Sequence, residues 1–388
     1  MTFYPDSLTN IIEARGLNIE AVASATGISH NTLRKSVESG HTPTKNQVFK
    51  LSHTLAVPAY AFFMEGFKIS DPSITDFRSS TPKPMKFGRN SNHFVRVFEL
   101  RNFLAELFIR LDLDPPQTLI AEQLDENPEQ FAAAIGRILG IDSIRAESKT
   151  KKDFYRSFRD SVENLGVFTV QDHYFSDEID GFALYHDNFS SNLIYINSSK
   201  RNHGVKSFTL AHELAHILGK RSAISDNYQR DNDVERFCNV FAASLLLPRD
   251  KLYAMVEKRK LTFGDYDSAI NAAEAISQEF KTSISASLVR TAELGLSKWE
   301  YYQTFAKGFG SANFLDAIKP RGGGGSDEGP EPGIVDLAFL GRRAVSIITK
   351  GIQQKVTTEY EIFKRTGLSK KRIEGLIHIS NKENLAAQ

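Results

Sequence analysis

A single cysteine, Cys238, among 388 residues excludes an internal disulfide and any cysteine-built zinc ribbon. Charge of neither sign is in excess: 48 Lys and Arg stand against 47 Asp and Glu, a formal +1. A nucleic-acid or acidic partner must therefore be argued from local patches. There is no run of about 18 apolar residues, and the opening MTFYPDSLTN has no basic segment leading into an apolar one. The expectation is a cytoplasmic protein with no membrane contact. What remains is ordinary globular composition, 41% hydrophobic and 24% charged, over a length that carries two or three domains.

The stretch Phe208 to Leu218, FTLAHELAHIL, stands out. His212, Glu213 and His216 form H-E-x-x-H inside an apolar run that reads as a buried helix. Two histidines four apart share one helix face, so both rings reach one metal ion, and the intervening carboxylate reaches a water on it. The alternative is a pair of core histidines with a solvated glutamate. A catalytic zinc site takes three protein ligands and leaves the fourth position to water. A histidine six residues beyond His216 would complete one pattern, but Ser222 stands there. A second amphipathic run, Asp233 to Leu247, offers a carboxylate instead. Glu235 is favoured because Asn239, one turn on, can accept the ring N–H of a ligand histidine. Asp226, Asp231 and Asp233 remain alternatives.

Residues 1–68 read as short helices. Ser7, Asn18, Ser29 and Thr44 are expected N-caps, and Thr26-Gly27 makes a turn between the second and third helices. Helix, glycine turn, helix is the helix-turn-helix arrangement, which would present Ser29, His30, Asn31, Thr32, Arg34 and Lys35 to DNA. Six Lys and Arg against five Asp and Glu up to Lys68 make a weak phosphate footprint, and a bundle for dimerisation or for holding a protein partner has the same caps. As a whole the region resembles the helix-turn-helix domain of the phage-repressor (Xre-like) group.

Pro58, Pro72, Pro82 and Pro84 punctuate a linker. Helices are expected over Phe94 to Leu111, Asn127 to Leu139 and Phe154 to Asn164. Residues 85–150 read as helical scaffold without chemistry. Three apolar runs, 167–170, 181–185 and 192–197, read as strands of a small antiparallel sheet. The last leads into the H-E-x-x-H helix and is the expected edge for strand addition by a substrate. His203, Tyr228 and Arg230 are candidate oxyanion donors.

Near the C-terminus, Arg321 to Ser326, RGGGGS, is a flexible stretch that also has the composition of an engineered linker. Beyond it Thr366-Gly367-Leu368-Ser369 repeats Thr26-Gly27-Ile28-Ser29. Nine Lys and Arg against three Glu between Arg342 and Glu374 make a stronger basic footprint than the N-terminal one. Nucleic-acid contact and a helical hairpin packed on the rest of the chain are equally compatible with it.

FTLAHELAHIL followed by ERFCNVFAASLLLP, Glu235 to Pro248, resembles the ImmA/IrrE family of zinc metallopeptidases. Weaker matches are Asp76-Phe77-Arg78, the run Glu163 to Val167, Ile196-Asn197, Ser285 to Arg290 and Leu294 to Leu296. The resemblance spans about residues 70–375, and Cys238 departs from the family's usual alanine. It implies Zn2+ held by His212, His216 and Glu235, with Glu213 as general base and a repressor or antitoxin as protein substrate in a prophage or stress-response circuit. The expected fold class is α+β, predominantly helical: an N-terminal helix-turn-helix bundle plus a zincin-like (gluzincin) metallopeptidase domain with a small antiparallel sheet. The expected divisions are 1–68 helix-turn-helix, 69–150 linker and scaffold, 151–300 metallopeptidase and 301–388 C-terminal helices. The other reading is a DNA-binding regulator whose metallopeptidase-like part is a non-cleaving sensor or partner-binding module. The oligomeric state is left open.

Overall fold

Ser7, expected as an N-cap, lies inside the first helix instead. The computed structural model describes residues 2–14, 17–55, 57, 59–67, 75–76, 83–84, 91–114, 127–173, 179–186, 191–199, 202–219, 223–225, 233–309 and 332–386. Helix α1 spans Pro5–Ala14, where proline's fixed φ suits the first turn. The buried Ser7 hydroxyl donates to the Met64 carbonyl and accepts from Phe67 N–H at 3.0 Å. That pair of bonds ties α1 to the end of the bundle.

The other caps stand where the residue types put them. Asn18 accepts from Ala21 N–H at the start of α2 (Ile19–Thr26), and Ser29 accepts from Thr32 N–H at the start of α3 (His30–Ser39). Thr44 and Gln47 exchange hydrogen bonds at the head of α4 (Lys45–Leu55). Gly27 turns the chain between α2 and α3 at φ 65°. Leu8, Ile11, Val22, Leu33, Leu51 and Phe62 fill a core belonging to these helices.

The middle of the chain is a sheet between two helical layers. Six strands, β1 (Thr75–Asp76), β2 (Lys83–Pro84), β3 (Phe168–Asp172), β4 (Gly181–Leu184), β5 (Leu193–Asn197) and β6 (Ala223–Ser225), run in the order β2-β1-β6-β4-β5-β3. Two expectations are corrected here. The sheet is mixed, because β3 pairs parallel with β5 and β1 parallel with β6. Residues 193–197 lie inside it, between β4 and β3, and are not an edge.

The reason is legible in the strands themselves. β4 and β5 are buried at every residue, as expected of strands covered on both faces. Alternate residues go to opposite layers. Phe168, Val170, Phe182, Leu184, Leu193 and Tyr195 pack with α5 (Ser91–Arg110) and the C-terminal α15 (Pro332–Gln353). Val167, Ala183, Ile194 and Ile196 pack with α6 (Pro128–Ile138), α8 (Lys151–Asn164), α9 (His203–Leu218) and α10 (Asp233–Leu246). A short α7 (Ile141–Glu147) joins α6 to α8.

Beyond α10 come α11 (Arg249–Arg259), α12 (Tyr266–Glu279), α13 (Ile284–Glu293) and α14 (Trp299–Phe309). After α15 the chain forms α16 (Glu359–Thr366) and α17 (Lys370–Ala386). The sequence repeat is also a structural one. Thr26 and Thr366 each donate to the carbonyl four residues back at 2.7 Å and accept the backbone N–H two residues on, and Gly367 turns at φ 77°.

Part of the charge of the basic C-terminal segment is taken up by contacts within the fold. Arg342 pairs with Asp160, Arg365 with Glu106, Arg372 with buried Asp336, and Lys370 with Glu359. Arg343 lies over the rings of Phe108 and Phe168. Lys350, Lys355, Lys364 and Lys371 are exposed. The docking is anchored by a buried pair, Arg159 and Glu163 of α8, 3.3 Å apart. Arg159 donates to the carbonyls of Ala338 and Phe339, and Glu163 accepts from Arg343 N–H at 3.0 Å. No helix among the described residues is long and apolar enough to cross a membrane.

Candidate metal centre

Helix α9 starts at Asn202, whose side chain accepts from Gly204 N–H. From Thr209 to Leu218 every residue is buried, because one face meets the sheet and the other meets α8 and α10. His212 and His216, one turn apart, are thereby turned together towards α10, where Glu235 stands in the first turn. The three residues are 0–1% exposed.

Their ligating atoms converge. His212 Nε2 lies 3.1 Å from one Glu235 oxygen, His216 Nε2 lies 3.2 Å from the other, and the two Nε2 atoms are 3.2 Å apart. Tetrahedral zinc with ligand bonds near 2.0–2.1 Å separates its ligand atoms by roughly 3.3 Å, so the arrangement fits. His212 Nδ1 is 3.0 Å from Asn239 Oδ1. A carbonyl oxygen only accepts, so the proton sits on Nδ1 and the Nε2 lone pair is left to face His216 and the carboxylate. Burial alone would raise the Glu235 carboxyl. Positive charge beside it, of the kind a bound cation supplies, is what offsets that penalty and lowers the group. Lone pairs and a carboxylate packed this closely, away from water, call for a cation among them.

Glu213 follows His212 and is also 0% exposed. Its neighbour is Gly181 of β4: a Cβ there would lie 3.2 Å from Glu213 Cγ, 2.6 Å from Thr209 Cγ2 and 2.8 Å from the Tyr195 carbonyl. Only glycine lets the strand come this close to the helix, so β4 sets the position of the glutamate.

The other candidates are dispersed. Asp233 is exposed at the start of α10. Asp226, Asp231, Tyr228 and Arg230 lie outside the described residues, as does the glycine run 322–325. His203 opens α9, nine residues and about 13 Å along the helix from His212. It is corrected as an oxyanion candidate, because a donor must reach within about 3 Å of the reacting oxygen. Its ring packs on Tyr155, and burial together with Lys206, Lys152 and Arg156 pushes its pKa down to about 4. Among the N-terminal candidates, Ser29 is occupied as a cap, His30 pairs with Glu20 at 3.0 Å and Arg34 with Glu38 at 2.8 Å. Asn31 and Lys35 are exposed and Thr32 is half-buried.

Sequence reasoning missed Gly181, although a glycine opening an apolar strand signals close backbone approach. It also missed an open groove of about 830 Å³ between α10, α13 and α14, lined by Phe208, Arg236, Asn239, Val289, Trp299 and Tyr302. Asn239 thus faces His212 on one side and the groove on the other.

No curated protein matches the chain. Residues 160–291, a stretch that contains His212, Glu213, His216, Glu235 and Asn239, match the Peptidase_M78 family model, described as the IrrE N-terminal-like domain, and that stretch is metallopeptidase-like.

Proposed function

We propose that the chain is a zinc-dependent endopeptidase and transcription regulator that cuts a repressor or antitoxin-type partner in a prophage or stress-response circuit. The convergence of His212, His216 and Glu235 at 3.1–3.2 Å, with Glu213 on the same helix, carries the reading. His212, His216 and Glu235 would hold a zinc ion, which would supply Lewis acidity at a scissile carbonyl and lower the pKa of an attacking water towards about 7. Glu213 takes the proton from that water and returns it to the leaving amine. Asn239 keeps His212 in the tautomer that presents Nε2. Tyr228 and Arg230 stay as proposed oxyanion donors. Helix α3, with Asn31, Arg34 and Lys35 on its exposed side, is the proposed reading helix for DNA.

The second reading, a regulator whose metallopeptidase-like part senses or binds a partner without cutting it, is favoured by one observation. All four central residues are 0–1% exposed, which suits a site closed at rest. Elemental analysis of the purified chain, with co-expression of the repressor or antitoxin encoded beside it, separates the two. Bound zinc and partner cleavage that is lost in Glu213→Ala support the peptidase. An intact partner beside zinc-loaded protein supports the sensor.

A further inference from the structure

Lys206 of α9 is a buried cation whose charge the fold leaves unmatched. The residue is 7% exposed, and burial together with the nearby Arg159 guanidinium pushes its pKa down. Among the described residues no carboxylate pairs with it. Its ammonium lies 6.0 Å from the centre of the Tyr155 ring, the outer limit of a cation–π contact, which does not neutralise the charge. Buried charges are ordinarily paired or hold an ion. Arg159 and Arg290, equally buried, follow that rule by facing Glu163 and Glu129.

What surrounds the ammonium is also positive. Helical side chains lean towards the N-terminus, so Lys206 points back over His203, three residues earlier on the same face. The His203 ring packs on the same Tyr155 ring, 5.8 Å between centroids, and Tyr155 is itself held by its hydroxyl, which donates to Gln171 Oε1 at 2.8 Å. Lys152 and Arg156, one turn apart on α8, join Lys206 and burial in holding the His203 pKa down to about 4. Asp153 opposes them, but its carboxylate is engaged by the Thr150 N–H and hydroxyl as part of the cap of α8. Lys152 and Arg156 are exposed and His203 is half-buried, so the cluster opens to solvent. It stands at the N-terminal end of the 16-residue α9, whose aligned peptide dipoles add roughly half a positive charge.

We infer that Lys206, His203, Lys152 and Arg156, gathered around Tyr155 at the start of α9, bind a phosphate group, either the free ion or the monoester end of a small ligand. A phosphate brings up to two negative charges and several acceptor oxygens, which suits donors converging from two helices and a helix N-terminus. A carboxylate meets fewer of them. The site is separate from the metal centre, because Lys206 precedes His212 by six residues, about 9 Å along α9. It holds whether or not the chain cuts peptides. Phosphate bound there relieves the repulsion among the four residues and ties α8 to the helix that carries His212 and His216.

Titration of the full-length chain at fixed ionic strength tests the site, with inorganic phosphate, methyl phosphate and acetate as probes. The readouts are calorimetric affinity and the ring-proton resonance of His203, identified by its loss in His203→Gln and followed through pH. Phosphate is expected to raise the His203 pKa from about 4 towards its ordinary 6.5, since an anion beside the ring favours the protonated form. Lys206→Met keeps an apolar stem on Tyr155 and removes the charge. It is expected to weaken inorganic phosphate about tenfold or more, the loss of one charge-assisted hydrogen bond. Should that variant fail to fold, Lys152→Ala/Arg156→Ala, confined to exposed positions, is expected to weaken binding several-fold. Methyl phosphate binding as tightly as the free ion, or more so, assigns the site to a phosphorylated ligand, and the reverse order assigns it to the ion. Phosphate that leaves the His203 resonance unmoved, that binds the variants as tightly as the wild type, or that acetate matches in affinity overturns the inference.

Discussion

His212 of α9 and Asn239 of α10, 27 positions apart in sequence, are joined by a hydrogen bond of 3.0 Å from Nδ1 to Oδ1. The bond fixes which nitrogen of His212 carries the proton and so turns the other towards His216 and Glu235. Two helices are locked to one another at the point where His212, His216 and Glu235 converge.

Asn239→Ala tests that lock. Loss of the orienting bond is expected to weaken zinc binding about 10- to 100-fold, measured by competition with a chromogenic chelator. Because Asn239 borders an open groove, truncating it seals in no new cavity, and the thermal midpoint of the metal-free protein should hardly move. An unchanged zinc affinity would remove Asn239 from the site.

The convergence of His212, His216 and Glu235 was legible in sequence because its logic is local. H-E-x-x-H puts two rings on one helix face, and the i, i+4 pair Glu235 and Asn239 marks the inward side of the next helix. The sheet was less so. Apolar runs announced β3, β4 and β5, but pairing order is a long-range property: Leu193–Asn197 carries nothing that says β3 will close on its far side. Strands as short as β1 and β6 have no periodicity to read. The basic C-terminal segment stayed ambiguous for a related reason. Charge counts do not distinguish cations aimed at solvent from Arg342, Arg365 and Arg372, which are paired with carboxylates elsewhere in the fold.

His203 makes stability depend on pH. Its folded pKa is about 4 against an ordinary 6.5, lowered by burial and the neighbouring Lys206, Lys152 and Arg156. A histidine depressed in the fold is protonated first in the unfolded chain. Its contribution is thus fully present above pH 6.5 and is lost as pH falls from 6.5 towards 4. With allowance for solvent around a half-buried ring, the loss is of the order of 1–2 kcal/mol. Urea midpoints measured across this window should fall less steeply for His203→Gln than for the wild type. Parallel curves would place the ring in water.

Gly341 marks the hinge inside α15. It sits at φ 78°, and a Cβ there would run into the Glu163 carboxyl. Gly341→Ala combines a left-handed backbone with a clash against a buried ion pair, a cost of about 1–3 kcal/mol. Limited proteolysis should then release residues 332–386 before the rest of the chain is cut. Wild-type resistance would show that α15 tolerates a straighter path over β3.

Arg34 and Lys35 carry the DNA proposal. Helix α3 is capped by Ser29, and its exposed side offers these two cations, yet Arg34 is held by Glu38 at 2.8 Å. Binding phosphate therefore means exchanging an exposed ion pair for a new one, a small cost because such pairs contribute about 0–1 kcal/mol. The Arg34→Ala/Lys35→Ala pair is expected to weaken binding to promoter DNA from the chain's own locus. It should also lower the slope of log affinity against log salt by about one to two, one for each phosphate contact removed. Lys364→Ala/Lys371→Ala, on α16 and α17, should leave the slope unchanged if those helices serve packing alone. If instead the C-terminal pair flattens the slope and the N-terminal pair does not, the second Thr-Gly turn, and not the first, introduces the helix that meets DNA.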